Sequence, residues 1–191
     1  MIVTSDNGGV LDTNGPTDNV NSGDEKTNNG HAHNGVLRGN KGSAYEGGTR
    51  VPFIARWPGH IRPGTSGALV SHVDMLSTLA SLTRQKLAEA DAPDSQDVLP
   101  ALLEGKPGRT TLVEHGNVLA LRSGDWKYLV VGPGAGKKNQ EKAKAKGTRK
   151  PELYDLGKDL SETTNVAEQH PEVVAKMAKT LADIQAAGRS R

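Results

Sequence analysis

Between Asp12 and Gly35 the chain reads DTNGPTDNVNSGDEKTNNGHAHNG, and almost nothing in that run can be buried. Six Asn and four Gly stand in it, while Val20 and Ala32 are its only apolar residues. Asn, Asp and Ser side chains compete for their own backbone, and Gly reaches backbone angles closed to other residues. The composition therefore predicts a long surface loop rather than a helix or strand. Loops of this length are uncommon in compact domains and are usually functional or disordered. An EF-hand is excluded by spacing, because the third ligand position counted from Asp12 falls on Pro16. The fold must be assembled from what flanks this run: a very short apolar stretch before it and everything after it.

The preceding stretch is Ile2-Val3-Thr4, followed at once by Ser5-Asp6-Asn7-Gly8-Gly9. Beyond the loop, residues 51–57 (VPFIARW) suit a buried strand ended by Pro58-Gly59. Ser71 with Asp74 three residues on is a capping-box pattern, and Val73, Leu76 and Ala80 then give a helix with one apolar face. Residues 85–109 read as an acid- and Pro-rich connection with a short helix around Leu99–Leu103. Three strands are predicted at Thr111–His115, Val118–Arg122 and Trp126–Val131, with Asn117 and Ser123-Gly124-Asp125 turning an antiparallel meander. Trp126 and Tyr128 alternate and so share a sheet face. Glu152–Leu156 suits a further strand. A last helix starts at Pro171, carries Val174, Met177, Leu181 and Ile184 at helical spacing, and stops at Gly188. The chain divides into 1–84, a linker at 85–108, and 109–191.

Charge and composition exclude several functions. Residues 132–151 hold six Lys and one Arg against one Glu, although the whole chain carries only +2. No aromatic is interleaved there for base stacking, and Gly132 to Gly136 is one residue short of a phosphate loop. A solvated insertion between strands is the reading, with no nucleic-acid partner. No window approaches the roughly 18 apolar residues of a membrane span. The absence of cysteine removes disulfides, thiolate metal sites and a cysteine nucleophile. Apolar content is 34%, and the six aromatics are few for a self-sufficient core.

Candidate chemistry begins at Asp6 and Asn7. A carboxylate and an amide oxygen at the carboxyl end of a strand suit a hard cation such as Ca²⁺ or Mg²⁺. Taken alone, an Asx turn explains the pair as well. Lys41 lies in a loop flanked by Gly39 and Gly42, and Gly47-Gly48 supply a second turn just before the strand. Glycines there allow backbone to come close to a small ligand, and an ammonium can neutralise an anionic oxygen. A solvated loop lysine is the plain alternative. His115, after Glu114 at a strand end, is a substrate-side candidate, with a simple strand-edge histidine as the plainer alternative. His31 and His33 sit in the turn-rich loop, solvated or near a substrate mouth. Arg50 is placed to anchor the loop through an ion pair with Glu46.

In combination the segments are more specific. SDNGG, LRGNKG, YEGGTRVPFIARWPG, SHVDMLSTLASL, RSGDWKYL and LYDLGKDLSETTNVAEQHPE, in this order, resemble the carboxyl-terminal half of the sulfatase (arylsulfatase) family within the alkaline-phosphatase-like superfamily. The resemblance covers nearly the whole chain except the basic stretch. It implies an α/β fold: part of an alkaline-phosphatase-like mixed sheet with flanking helices over 1–84, then a small antiparallel sheet with a carboxyl-terminal helix. It also implies sulfuric ester hydrolysis of a sulfated small molecule or glycan. Asp6 and Asn7 would be two ligands of one Ca²⁺, and Lys41 would contact the sulfate. Asn7 favours this branch over phosphoryl or phosphonate hydrolases of the superfamily, whose two-zinc members carry Asp-His there. The family's formylglycine nucleophile arises within C-x-P-x-R or a serine version, and neither occurs in this chain. The expectation is therefore a fragment of the enzyme, inactive by itself, with Met1 an interior residue of the parent and the calcium site incomplete. A non-catalytic carbohydrate- or partner-binding remnant is the rival reading. The family is often exported, so a periplasmic or secreted parent is expected.

Overall fold

The computed structural model describes residues 1–9, 32–130 and 150–191. Two antiparallel sheets organise them. The first is a ribbon of β1 (Ile2–Thr4) and β2 (Phe53–Ala55), registered as Ile2 opposite Ala55 and Thr4 opposite Phe53. Between them, α1 (Glu46–Thr49) is a single helical turn where the sequence suggested a Gly-Gly turn. After β2 a 3-10 turn (His72–Asp74) leads into α2 (Met75–Leu82), and α3 (Leu99–Glu104) follows. The expected capping box is present: the Asp74 carboxylate accepts the Ser71 backbone N–H at 2.9 Å, and the Ser71 side chain faces the Asp74 backbone N–H in return.

The second sheet is a four-stranded meander of β3 (Thr111–His115), β4 (Leu119–Ser123), β5 (Trp126–Leu129) and β6 (Glu152–Asp155) in sequence order. The carboxyl-terminal helix α4 (Pro171–Ala187) begins on its proline and closes at Gly188, whose φ of +66° suits a left-handed cap. Period-two alternation sends side chains to both faces of this sheet. Leu121, Tyr128 and Leu153 meet Met177 and Leu181 of α4, with Trp126, Val174 and Ile184 packed alongside. The opposite face, formed by Ala120, Leu129 and Tyr154, packs with Leu156 against Ala44 and Tyr45 from the segment before α1. That second contact joins the meander to the half of the chain that carries the candidate site.

Arg109 strengthens the join. Its guanidinium is fully buried and pairs with Asp74, and also donates to the carbonyls of Thr111 and Asp94 and to Ser190 Oγ. The carboxyl-terminal tail, the 3-10 turn and the start of the meander are thereby held at one point. The amino-terminal ribbon differs from expectation in burial. Residues 53–55 form the strand, but Ile54 is 57% exposed, and Ile2 and Val3 are exposed as well. In α2, Ala80 is inside while Leu76, Leu79 and Leu82 face outward, as does Val73 in the 3-10 turn before it. What α2 buries instead is Thr78, whose Oγ1 accepts the Val98 N–H at 3.1 Å.

Candidate functional site

The site is built around two loops that pass close enough to exclude any side chain. A β-carbon on Gly8 would lie 1.8 Å from the Gly47 carbonyl oxygen, and one on Gly47 would lie 2.3 Å from that of Gly39. Only glycine permits such backbone-to-backbone packing. Hydrogen bonds lock it: Gly8 N–H donates to Gly48 O (3.0 Å), Gly47 N–H to Arg38 O (2.7 Å), and Lys41 N–H to Gly9 O (3.1 Å). The sequence suggested that these glycines admit a ligand. In the fold they admit each other, and the end of β1 is pinned to the loop that carries Lys41.

Asp6 and Asn7 stand side by side at that end, with Asn7 Nδ2 donating to Asp6 Oδ1 at 3.0 Å. Both line a groove of about 1310 Å³ that also receives Lys41, Arg50, His72, His115 and Arg122. The four residues singled out from sequence, Asp6, Asn7, Lys41 and His115, therefore reach one cavity from three separate parts of the chain. His72 Nε2 lies 2.8 Å from Thr4 Oγ1 and ties α2's approach to β1. His33 packs behind the site, its Nε2 at 2.8 Å from Asn40 Oδ1 and its ring against Gly9. His31 and nearly all of the basic stretch 132–151 lie outside the described residues.

Asp6 and Asn7 fit a hard cation in chemistry, since both offer oxygen donors, but Ca²⁺ takes six to eight such donors. Among the described residues, no cluster of three or more Asp, Glu or His side chains adds to them.

The strongest electrostatics lie beneath the loops. Glu46 is fully buried and receives Lys127 Nζ at 2.8 Å, Arg50 at 3.3 Å and Arg122 at 3.6 Å. Burial opposes ionisation of Glu46, but these cations, Lys127 foremost, outweigh it and hold the carboxyl below its ordinary range. Lys127 also meets Glu114 at 2.8 Å and Glu162 at 3.7 Å. Burial pushes Glu114 up, and it pushes Glu162 up to about 7. The predicted Arg50–Glu46 pair is present. Lys127, Glu114 and Glu162 were not anticipated, although one signal was available. In Trp126-Lys127-Tyr128 the aromatics share a face, so the lysine between them must point into the opposite one and needs partners there.

Comparisons with known proteins agree on the origin of this arrangement. Residues 1–85 match the family model for sulfatases. The chain is 42% identical over 189 residues to N-acetylgalactosamine-6-O-sulfatase of Bacteroides thetaiotaomicron, covering 97% of this chain and 36% of that one. It is 36% identical over 159 residues to human arylsulfatase A, covering 73% of this chain and 31% of that one. A solved Bacteroides thetaiotaomicron sulfatase, from work on the metabolism of multiple glycosaminoglycans, superposes with a TM-score of 0.79 at 40% identity. That match covers 97% of this chain and 38% of the solved one. The chain thus spans about a third of the length of these relatives.

Proposed function

The chain belongs to the sulfatase family, and we propose that it forms the part of a sulfuric ester hydrolase that grips the sulfate, while the nucleophile comes from polypeptide outside these 191 residues. The observation that carries this reading is the meeting of Asp6, Asn7, Lys41 and His115 in one groove. Asp6 and Asn7 would donate two of the oxygens around one Ca²⁺, which supplies Lewis-acid stabilisation of charge on the sulfuryl group when bound. Lys41 would place its ammonium against a sulfuryl oxygen, countering charge that develops as the ester bond breaks. His115, exposed at the end of β3, would contact the alcohol side of the ester. Polypeptide carrying the formylglycine would complete both the reaction and the metal's coordination.

The substrate this reading favours is a sulfated glycan. A relative named as an N-acetylgalactosamine-6-O-sulfatase, at 42% identity, makes that 6-O-sulfate ester the first to try. The test starts with the genomic DNA before the Met1 codon. An in-frame C-x-P-x-R or S-x-P-x-R within a few hundred codons supports the proposal. The longer product should then hydrolyse an aryl sulfate or the 6-O-sulfated sugar in the presence of Ca²⁺, and Asp6→Ala or Lys41→Ala should abolish it. The 191-residue chain by itself should show no turnover above buffer. Hydrolysis by the short chain, or full activity of the longer one after either substitution, would reject the reading.

A further inference from the structure

Lys127 belongs to β5, in the small sheet, yet it acts on the other half of the molecule. Trp126 and Tyr128 turn toward α4, so the lysine projects from the opposite face. No part of its side chain is exposed. Its ammonium stands among three carboxylates, at 2.8 Å from Glu46 Oε1, 2.8 Å from Glu114 Oε2 and 3.7 Å from Glu162 Oε1. Glu162 is itself unusual. It is fully buried at a φ of +51°, a left-handed backbone that a non-glycine residue keeps only where its surroundings hold it. Two contacts do so: its Oε2 accepts the Glu46 N–H at 2.7 Å, and its carbonyl accepts Arg38 Nη1 at 2.7 Å.

Stability is a poor reason for such a cluster, because well-packed apolar residues of similar volume often serve as well as a buried ion pair. Its location gives a better one. Glu46 opens α1, and the two residues after it are the glycines that lock against Gly8 and Gly39. From the ammonium the connection runs to the Glu46 carboxylate. The backbone then carries it on through Gly48 O to Gly8 N–H, and through Gly47 N–H to the Arg38 carbonyl. Lys41 N–H, bonded to Gly9 O, closes the circuit. We propose that Lys127 is a positioning residue which, through Glu46, holds the loops that carry Asp6, Asn7 and Lys41 in register with the small sheet. The proposal rests on the assignment of those three residues to the site.

The groups facing Glu162 are Lys127 from β5, Glu46 from α1, Glu114 from β3 and the Arg38 guanidinium, with Arg50 and Arg122 one carboxylate further away. Burial lifts its carboxyl to about 7, so the charge of the cluster changes near neutral pH, and the loops should register that change.

Amide hydrogen exchange and pH titration by NMR on the 191-residue chain test the proposal without substrate. In Lys127→Met, protection of the Gly8, Gly47 and Lys41 amides should fall at least about tenfold, because removing one partner strands a buried carboxylate. Leu121 and Tyr128 in the sheet should stay protected, and Lys127→Arg should recover part of the loss. Unchanged protection at Gly8 and Lys41, or an equal loss in the sheet, would overturn the proposal. If Lys127→Met does not fold, the wild-type titration decides. The Glu46, Gly8 and Lys41 amides should shift together with a midpoint near 7, and Glu162→Gln should abolish the shift. A flat response at Gly8 and Lys41, or a shift removed by His33→Gln rather than Glu162→Gln, would overturn it. These readouts involve no turnover, so the sulfatase reading can fail its activity assay while this one stands, and the reverse.

Discussion

The four-stranded sheet and the β1–β2 ribbon are both antiparallel and both built from short apolar strands, but their side chains meet different fates. In the meander, Leu121 and Leu153 are wholly buried beneath α4, and on the reverse face Ala120 is sealed by the Ala44–Tyr45 segment. In the ribbon, Ile2, Val3 and Ile54 are exposed, and the outer stripe of α2 joins them. A sheet with cover on both faces has its own hydrophobic core, whereas exposed apolar area of this kind marks an interaction surface. The candidate site sits at the boundary. Asp6 follows a strand of the uncovered region, and the loops behind it are braced from the covered one.

The joint between the regions should be the most sensitive place. Arg109→Met would leave Asp74 buried without its cation and release the contacts to Asp94 and Ser190. Breaking a buried pair from one side costs about 3–5 kcal/mol. Urea unfolding should therefore show the midpoint falling steeply, or two separate transitions as the regions uncouple. A loss below about 1 kcal/mol would mean that the join rests on the Ala44–Tyr45 contact instead. Within the covered region, Leu153→Ala should cost about 2–5 kcal/mol as a cavity opens under α4. Ile54→Ala, the same kind of truncation in the ribbon, should cost far less, and equal losses would break the comparison.

The covered region was the more legible from sequence. Pro171, the Val174–Ile184 stripe and Gly188 specified α4, and the turn residues after β3 and β4 specified the meander, because each signal is local. In the ribbon, the strand at 53–55 was readable, but its burial was not, since burial depends on what packs above it. The site divides in the same way. Asp6, Asn7 and Lys41 could be named from motifs, and the Arg50–Glu46 pair from an i,i+4 spacing. The cluster around Lys127 could not, because its members come from α1, β3, β5 and the segment after β6, and no local pattern brings them together.

That cluster should tilt stability with pH. The Glu162 carboxyl is raised by burial from an ordinary 4.5 to about 7 in the folded chain. The folded state then holds a proton that the unfolded state releases. The contribution is full below about 4.5 and is lost as pH rises through 7. At roughly 1.4 kcal/mol per unit of displacement, the effect is on the order of 3 kcal/mol at most. Unfolding at pH 5.5 and pH 8, compared between wild type and Glu162→Gln, isolates it from every other contribution to the pH dependence. The wild type should lose more stability than the variant on going to pH 8. A wild type that gains relative to the variant would reverse the assigned sign.

The smallest effect belongs to the bare face itself. Leu76 is 52% exposed and Leu79 is 47% exposed, so Leu76→Gln with Leu79→Gln removes little buried area. Stability of the 191-residue chain should change by no more than about 0.5 kcal/mol per site, as for other surface substitutions. Self-association should change more than stability does, because contiguous exposed apolar area drives it. Light scattering of the wild type should show concentration-dependent assembly that the double variant reduces. A longer sulfatase polypeptide offers the contrasting case. If additional chain covers α2 there, the same pair of substitutions should cost about 2–5 kcal/mol, the range for large apolar residues lost from a core. A small cost in both settings would mean that α2 keeps an open face in the longer protein too. The contrast between the two regions would then be a property of the whole fold, not of what happens to lie over the ribbon.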